Sequence, residues 1–191
     1  MIPIYEQGNG RGVGLMLEGF LQRVEDICAE HAKEGRARAF AVILRDAEDR
    51  HLKRILRDQG AYAKLDRLSG DRLSVFFVHT ASNEAVARFN QIIGARIGVE
   101  SPRLPAIAFF RTAVREDGAA GLTDVEVVTL DNADIIHGLH ELYGQIERYV
   151  DAMAAPEPVK PGLGGKALGA GKFVSLEVLR AALREGIGLF F

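Results

Sequence analysis

Basic side chains recur at helical spacing shortly after a buried strand that the sequence predicts. Arg50, Lys53, Arg54 and Arg57 follow an i, i+3, i+4, i+7 pattern, which places them on one face of a helix. We call these four residues the basic stripe. A local basic face can bind an acidic partner even though the whole chain has a net charge of −2. The alternative is an ordinary solvated helix face, opposite the apolar residues Leu52, Ile55 and Leu56.

Two further groups have spacings that suit catalysis or metal binding. Cys28 and His31 lie three residues apart, and a cysteine beside a histidine can act as nucleophile and base. Both fall on the apolar face of a predicted helix, where a free cysteine is usually packed in the core.

Asp134, His137 and His140 recur every third residue, as metal ligands on consecutive turns would. Because such a stripe drifts around the helix, we favour a solvated face and predict neither metal nor cofactor.

A glycine-rich segment, GNGRGVG, precedes the first predicted helix and runs from Gly8 to Gly14. Backbone amides of such a turn, together with a helix N-terminus, can hold an anion. The segment does not contain the G-x-G-x-x-G pattern of a dinucleotide site. We therefore favour a flexible connection from strand to helix.

Composition bounds the class of protein. The chain has 191 residues, of which 48% are hydrophobic and 26% charged, as in an ordinary soluble domain. No apolar run approaches the ~18 residues that a membrane span needs, and the first residues show no secretory signal. The net charge of −2 gives no global case for nucleic-acid binding. A single cysteine excludes an internal disulfide, and we predict a cytoplasmic location.

The hydrophobic pattern predicts alternating strands and helices. In chain order these are a weak strand 2–5, a helix 15–34, a strand 39–44, a helix opened by Asp46 and Glu48, a strand 73–78, a helix 83–96, a strand 106–110, a loop 111–124, a strand 125–130 and a long helix capped by Asp131 and Asn132. The strands 39–44 and 73–78 are apolar throughout, which is typical of strands in the middle of a covered, largely parallel sheet. The partial alternation of 125–130 suits a strand nearer an edge.

The order β-α-β-α-β-α-β-β-α resembles the thioredoxin-like fold, with a βαβ half, a linking helix and a ββα half that begins at a proline. The resemblance covers 1–154 and depends on element order and on Leu104-Pro105 before the strand AIAFF. It implies an α/β domain with a central mixed sheet and a cis Leu104–Pro105 bond. It also places the family's Cys-x-x-Cys slot at Asp49–Leu52, which reads Asp-Arg-His-Leu. Because thiol exchange needs a thiolate, we predict no disulfide oxidoreductase activity.

This slot and its surroundings supply the candidate binding residues. We predict that a ligand or partner contacts Asp49, Arg50, His51, Arg54, Arg57, Arg103 and Pro105. We predict no catalytic residue.

The chain changes character after Ala154. Residues 155–172 are rich in glycine, proline and lysine and predict a flexible linker. Residues 173–191 predict an amphipathic docking helix, with apolar contact residues Val174, Leu176, Leu179, Leu183, Ile187, Phe190 and Phe191. An isolated helix of this length is marginal in water, so it needs a groove. The groove belongs to its own domain, to a second copy or to another protein, and we favour an intermolecular contact slightly.

Together these features predict a non-catalytic protein-binding or adaptor domain in a multiprotein or homo-oligomeric assembly. The alternative is an enzyme or small-ligand binder that uses the slot for an anionic or thiol ligand. Nucleic-acid binding is weaker still, because no aromatic residues interleave with the basic stripe.

Overall fold

The structure is a computed structural model that describes residues 4–8, 12–34, 39–80, 82–99, 102–131, 133–154, 165–168 and 173–187. This part of the chain contains eight strands and six helices. In order they are β1 (Ile4–Gln7), β2 (Gly14–Leu15), α1 (Leu17–Glu34), β3 (Ala39–Leu44), α2 (Arg50–Ile55), α3 (Gln59–Ser69), β4 (Leu73–Val78), α4 (Asn83–Ile97), β5 (Ala106–Val114), β6 (Ala120–Thr129), α5 (Ile135–Ala154), β7 (Gly165–Leu168), β8 (Val174–Ser175) and α6 (Leu176–Ile187).

The strands form one mixed sheet in the order β2-β1-β4-β3-β5-β6-β7, and β8 also pairs with β6. Among the described pairs, β3 and β4 alone are parallel, with Ala41 opposite Val75. Strands β1, β5, β6 and their partners pair antiparallel. The α/β class and the mixed sheet are therefore confirmed, whereas the expectation of a largely parallel sheet is wrong.

Both faces of the sheet are covered by helices, which explains why β3 and β4 are apolar throughout. Alternate side chains of a strand point to opposite faces. In β3, Phe40 and Val42 pack with α1, α4 and α6, whereas Ala41 and Ile43 pack with α2, α3 and α5. Neither face of this strand reaches water, so no position in it favours a polar residue.

The predicted second helix is two helices. Leu56 ends α2, and Asp58 begins α3 by accepting a hydrogen bond from the amide of Ala61 at 2.8 Å. Aspartate is a strong N-cap residue, and this cap marks the start of a second helix.

The predicted loop 111–124 is a hairpin, so that expectation is wrong. Strand β5 runs on to Val114, and β6 begins at Ala120. Gly118 has a φ of 83° in the turn, and its amide donates to the carbonyl oxygen of Arg115 at 2.9 Å. A register shift between Phe109 and Arg111 marks where the strands change from the core to the polar hairpin.

Strand β6 is second from the edge of the sheet, next to β7, so the expectation of a strand nearer an edge is confirmed. The predicted cap of the long helix needs correction. The last long helix starts at Ile135, and Asp134 accepts the amide hydrogen of His137 at 2.8 Å, whereas the sequence placed the cap at Asp131 and Asn132. Asn132 lies outside the described residues.

The first strand does not extend the parallel pair of β3 and β4. Strand β1 runs antiparallel to β4, with Ile4 opposite Val78, and it forms a two-residue ladder with β2 before α1 begins. No helix in the described residues is long and apolar enough to cross a membrane.

Candidate functional site

The slot that the sequence singled out is a shallow depression at the start of α2. It has a volume of about 480 Å³, and it brings Asp49, Arg50 and His51 beside Leu104 and Pro105. Asp49 is the N-cap of α2 and accepts the amide hydrogen of Leu52 at 2.9 Å. The Leu104–Pro105 bond is cis, as predicted.

Acidic groups outnumber basic ones in this slot. Asp46, Glu48 and Asp49 line it together with Arg50 and His51. Arg103 is exposed and does not belong to the lining. A small anionic ligand would therefore face three carboxylates, which makes the slot a poor site for an anion.

A larger cleft adjoins the slot and shares His51 with it. Its volume is about 800 Å³, and it lies between α2, α3 and the first turns of α5. We call it the α2–α5 cleft. Its residues are His51, Arg54, Ile55, Asp58, Ala61, Asp134, Ile135, Ile136, His137, Leu139 and His140. Sequence analysis did not identify this cleft, because its two walls lie about 80 residues apart in the chain.

The carboxylates of the α2–α5 cleft have local roles. Asp58 caps α3, and Asp134 accepts the amide hydrogen of His137 at 2.8 Å. That backbone hydrogen bond lowers the pKa of the Asp134 carboxyl. The Nε2 atom of His137 lies 3.5 Å from the Oδ2 atom of Asp131. The described residues contain no group of three side chains that could hold a metal ion.

The cleft combines an apolar interior with a polar rim. Ile55 and Ala61 are buried in it, whereas Ile136 at its mouth is 72% exposed. Arg54 is exposed on the rim, which it shares with the three histidines. An apolar patch with a polar rim is typical of a surface that binds another molecule.

The basic stripe does not act as one surface. Arg50 lines the slot, Arg54 lines the α2–α5 cleft, and Lys53 and Arg57 line a third feature with Arg45. The helical spacing is correct over α2, but its basic side chains lie beside three different parts of the fold. These are the Leu104–Pro105 loop, helix α5 and the end of β4.

That third feature is a notch of about 10 Å³ at the carboxyl ends of β3 and β4. Arg45, Lys53 and Arg57 line it, together with His79. Arg45 is 5% exposed, and its guanidinium donates to the carbonyl oxygens of Val78 and Thr80 at 3.5 and 3.3 Å. Burial lowers the pKa of Arg45, and Arg57 adds to that effect.

Arg45 and His79 were not predicted as site residues, although the sequence contains a signal for them. Each residue directly follows a buried apolar strand, and β3 and β4 turned out to be adjacent and parallel. The first residues after adjacent parallel strands meet at one edge of the sheet. Two cationic types at these two positions were therefore the available signal.

Cys28 has the core position that the sequence favoured, whereas the glycine-rich segment lies partly outside the described residues, and its Gly14 belongs to β2. Cys28 is fully buried, and burial, with a smaller contribution from Glu25, raises the pKa of its thiol to about 12. The side chain of His31 lies outside the described residues. The amide of Gly8 donates to the Oδ1 atom of Asp66 at 2.8 Å, so a carboxylate already occupies this donor.

The C-terminal segment packs on its own domain. Leu176, Leu179 and Leu183 are buried against α1 and α4, and Val174 is buried beside Leu122. The prediction of a buried contact is confirmed for these four residues, whereas the preference for an intermolecular groove is not supported. The side chain of Ile187, with Phe190 and Phe191, lies outside the described residues.

Polar contacts fix the orientation of α6. The guanidinium of Arg184 donates to both carboxylate oxygens of Glu18 at 2.8 and 2.6 Å. Arg180 pairs with Glu25 at 2.8 Å. Gly165–Leu168, which composition placed in the linker, form β7 on the edge of β6.

Comparison of the chain with protein-family models, with curated proteins and with solved structures gave no match.

Proposed function

We propose that this protein is a non-catalytic protein-binding or adaptor domain, and that it binds its partner through the α2–α5 cleft. The C-terminal helix is not the contact surface in this proposal, because its apolar side lies against α1 and α4. We further propose a thioredoxin-like platform, supported by the β5-β6-α5 half that follows Pro105. The antiparallel β1 is a departure from that pattern.

The observation that carries the proposal is the exposure of Ile136 at the mouth of an apolar cleft. Isoleucine is normally buried, and here 72% of it is exposed beside Leu139 and Ile135. A partner residue that covered Ile136 and entered the cleft would remove this apolar surface from water. Burying one large apolar side chain contributes ~1.5–3 kcal/mol.

Charge on the rim is of both signs. Arg54 is cationic, and Asp58 and Asp134 keep their carboxylate charge although each also accepts a backbone amide hydrogen. The apolar interior, and not the charge of the rim, therefore indicates the chemistry of the partner. We propose that the partner is a protein segment with one apolar anchor residue flanked by polar residues.

Site-specific crosslinking tests the proposal. A photoreactive phenylalanine analogue at position 136 should capture a defined protein, whereas the same analogue at position 178 should not. Val178 is a matched control, because it is an apolar residue on α6 that is 47% exposed.

The captured protein must then bind in purified form. Ile136→Asp should weaken its affinity at least about tenfold, and Val178→Asp should leave it within about twofold. Equal effects of the two variants, or no crosslink specific to position 136, would remove the α2–α5 cleft from consideration.

A further inference from the structure

The notch lies where the backbone itself creates a crevice. Strands β3 and β4 are parallel neighbours, and their carboxyl ends meet at one edge of the sheet. The chain leaves β3 toward α2 on one face and leaves β4 toward α4 on the other face. Connections that diverge in this way leave an opening outside the strand ends, where α/β proteins commonly bind ligands.

A buried positive charge lies in this opening. Arg45 is 5% exposed, and its described hydrogen bonds go to the carbonyl oxygens of Val78, Thr80 and Asp46, at 3.3 to 3.5 Å. These distances are at the long end for a hydrogen bond. Arg45 forms no ion pair with a described residue. Burying a charge is costly, and Asp46 and Asp49 offset that cost only from a distance, without a described ion pair to Arg45, so an external anion in direct contact would offset more of it.

The acidic residues that attract Arg45 electrostatically are Asp46 and Asp49. Both accept backbone amide hydrogens of their own loop: Asp46 from Glu48 and Asp49 from Leu52, each at 2.9 Å. Both carboxylates line the slot at the start of α2.

Two more cationic groups and a histidine lie around Arg45. Lys53 comes from α2, Arg57 from the turn that follows α2, and His79 follows β4. The ring of Tyr5 packs edge-on against His79 at 5.1 Å and closes its other side. The notch, at about 10 Å³, has room for about one oxygen atom. Arg57 is exposed at its rim, within reach of a group that projects outward.

We propose that this notch binds a phosphate group, either as the free ion or as a monoester on a small molecule. One phosphate oxygen enters the notch toward Arg45, and the other oxygens remain at the rim with Lys53 and Arg57. Phosphate fits better than a carboxylate, because its charge approaches −2 near neutral pH and its three or four oxygens can accept from several donors at once.

Titration of the full chain with inorganic phosphate, at constant ionic strength and pH 7, tests this assignment by heteronuclear NMR. Saturable shifts are expected at the amides of His79 and Thr80 and at the Nε–H of Arg45. Bound phosphate should also raise the pKa of the His79 imidazole, which burial and the three neighbouring cations lower. Methyl phosphate distinguishes a monoester from the free ion. If it binds with an affinity comparable to that of inorganic phosphate, the ligand is a monoester. If it does not bind, the ligand is the free ion.

The residues to be substituted are near one another in the chain, with Lys53 and Arg54 on α2 and Arg57 just after it. Lys53→Gln with Arg57→Gln should weaken phosphate binding at least about tenfold, whereas Arg54→Gln, which faces the α2–α5 cleft, should change it less than about twofold. Arg54 and Arg57 are exposed and Lys53 is partly exposed, so the circular dichroism spectrum of each variant should match that of the wild type. Shifts that never saturate, or equal weakening by Arg54→Gln, would overturn the proposal and return Arg45 to a structural role at the strand ends.

Discussion

At the scale of single residues, burial decides the chemistry of Cys28. The side chain is 0% exposed, and its thiol pKa is raised to about 12 by burial. The nucleophile in thiol chemistry is the thiolate, which is almost absent at neutral pH under these conditions. The folded protein should therefore not react with a disulfide reagent such as dithionitrobenzoate at pH 8, and one thiol should react in denaturant. Rapid reaction of the native protein would show that α1 opens and exposes Cys28.

His79 is the residue whose titration reports on the notch. Its pKa is lowered first by burial and then by Arg57, Arg45 and Lys53. Arg57→Gln should raise that pKa toward the ordinary value, and Arg54→Gln should leave it unchanged. NMR titration of the imidazole C–H signals measures both effects.

The lowered pKa of His79 also predicts how the unfolding free energy changes with pH. The unfolded chain binds this proton more readily than the folded chain, so the contribution of His79 to stability is present above its unfolded pKa near 6.5 and is lost as pH falls through the lowered folded pKa. His79→Gln should reduce the fall in unfolding free energy between pH 7.5 and pH 5. Denaturant unfolding at the two pH values measures it, and an unchanged difference between wild type and variant would contradict the assignment.

At the residue scale, the resemblance to a known fold predicted more than local sequence did. It implied that Asp49, Arg50 and His51 lie beside Pro105, and the slot contains these four residues. Arg45, His79 and the α2–α5 cleft depend on which strands are neighbours and on how α5 packs across α3, and neither is encoded within a short window.

At the scale of elements, one glycine controls how the C-terminal segment joins the sheet. A Cβ on Gly121 would contact the Phe173 ring and lie 2.6 Å from the carbonyl oxygen of Val174. Gly121→Ala should therefore push β8 away from β6 and cost about 1–3 kcal/mol of unfolding free energy. Gly144→Ala is the matched control, because Gly144 lies within α5 with nothing within 4 Å of the added Cβ. That change should stabilise the protein by up to ~1 kcal/mol.

Hydrogen exchange locates the effect of the first variant. Amides in 173–187 should exchange faster in Gly121→Ala, whereas those in β3 and β4 should be unchanged. A uniform loss of protection over the whole sheet would mean that the glycine supports the fold globally and not the attachment of the segment.

Elements were predictable where one physical pattern dominated. Strand β4 and helix α4 follow from a continuous apolar run and from Ser82, whose hydroxyl accepts the amide hydrogen of Ala85 at 3.2 Å. The outer half of the β5–β6 hairpin was not predicted, because polar residues within 111–124 interrupt the apolar pattern. Thr112 and Leu122, which are opposite each other in the hairpin, are nevertheless buried. Part of that burial comes from Val174 of β8, which is distant in the chain and pairs with Leu122.

At the scale of the whole molecule, residues 173–187 contribute to the hydrophobic core on the face of the sheet that α1 and α4 cover. Val174, Leu176, Leu179 and Leu183 belong to the same buried cluster as Phe20 of α1. Composition suggested that a domain ended near Ala154, because residues 155–164 separate the segment from the domain in the chain. The contacts of α6 with α4 and of β8 with β6 join them again in space.

Truncation after Ala154 should therefore damage the remaining domain. It removes β7 and β8 from β6 and uncovers Leu21, Val24 and Ile92 on the α1–α4 face. Four large buried side chains contribute ~1.5–3 kcal/mol each, reduced by the entropy of ordering the segment. A net loss of about 3 kcal/mol lowers the unfolding midpoint by roughly 6–12 °C in a chain of this size.

The truncated chain should also bind a hydrophobic dye and increase in mass with concentration by light scattering, because an unpaired strand edge and an apolar face are both exposed. Val178→Ala in the full chain is the control for a change on α6 that leaves the core covered, and it should alter stability by no more than about 0.5 kcal/mol. A monomeric 1–154 chain with an unchanged midpoint would mean that the segment is a removable attachment. Its buried leucines would then contribute no more than the cost of ordering them.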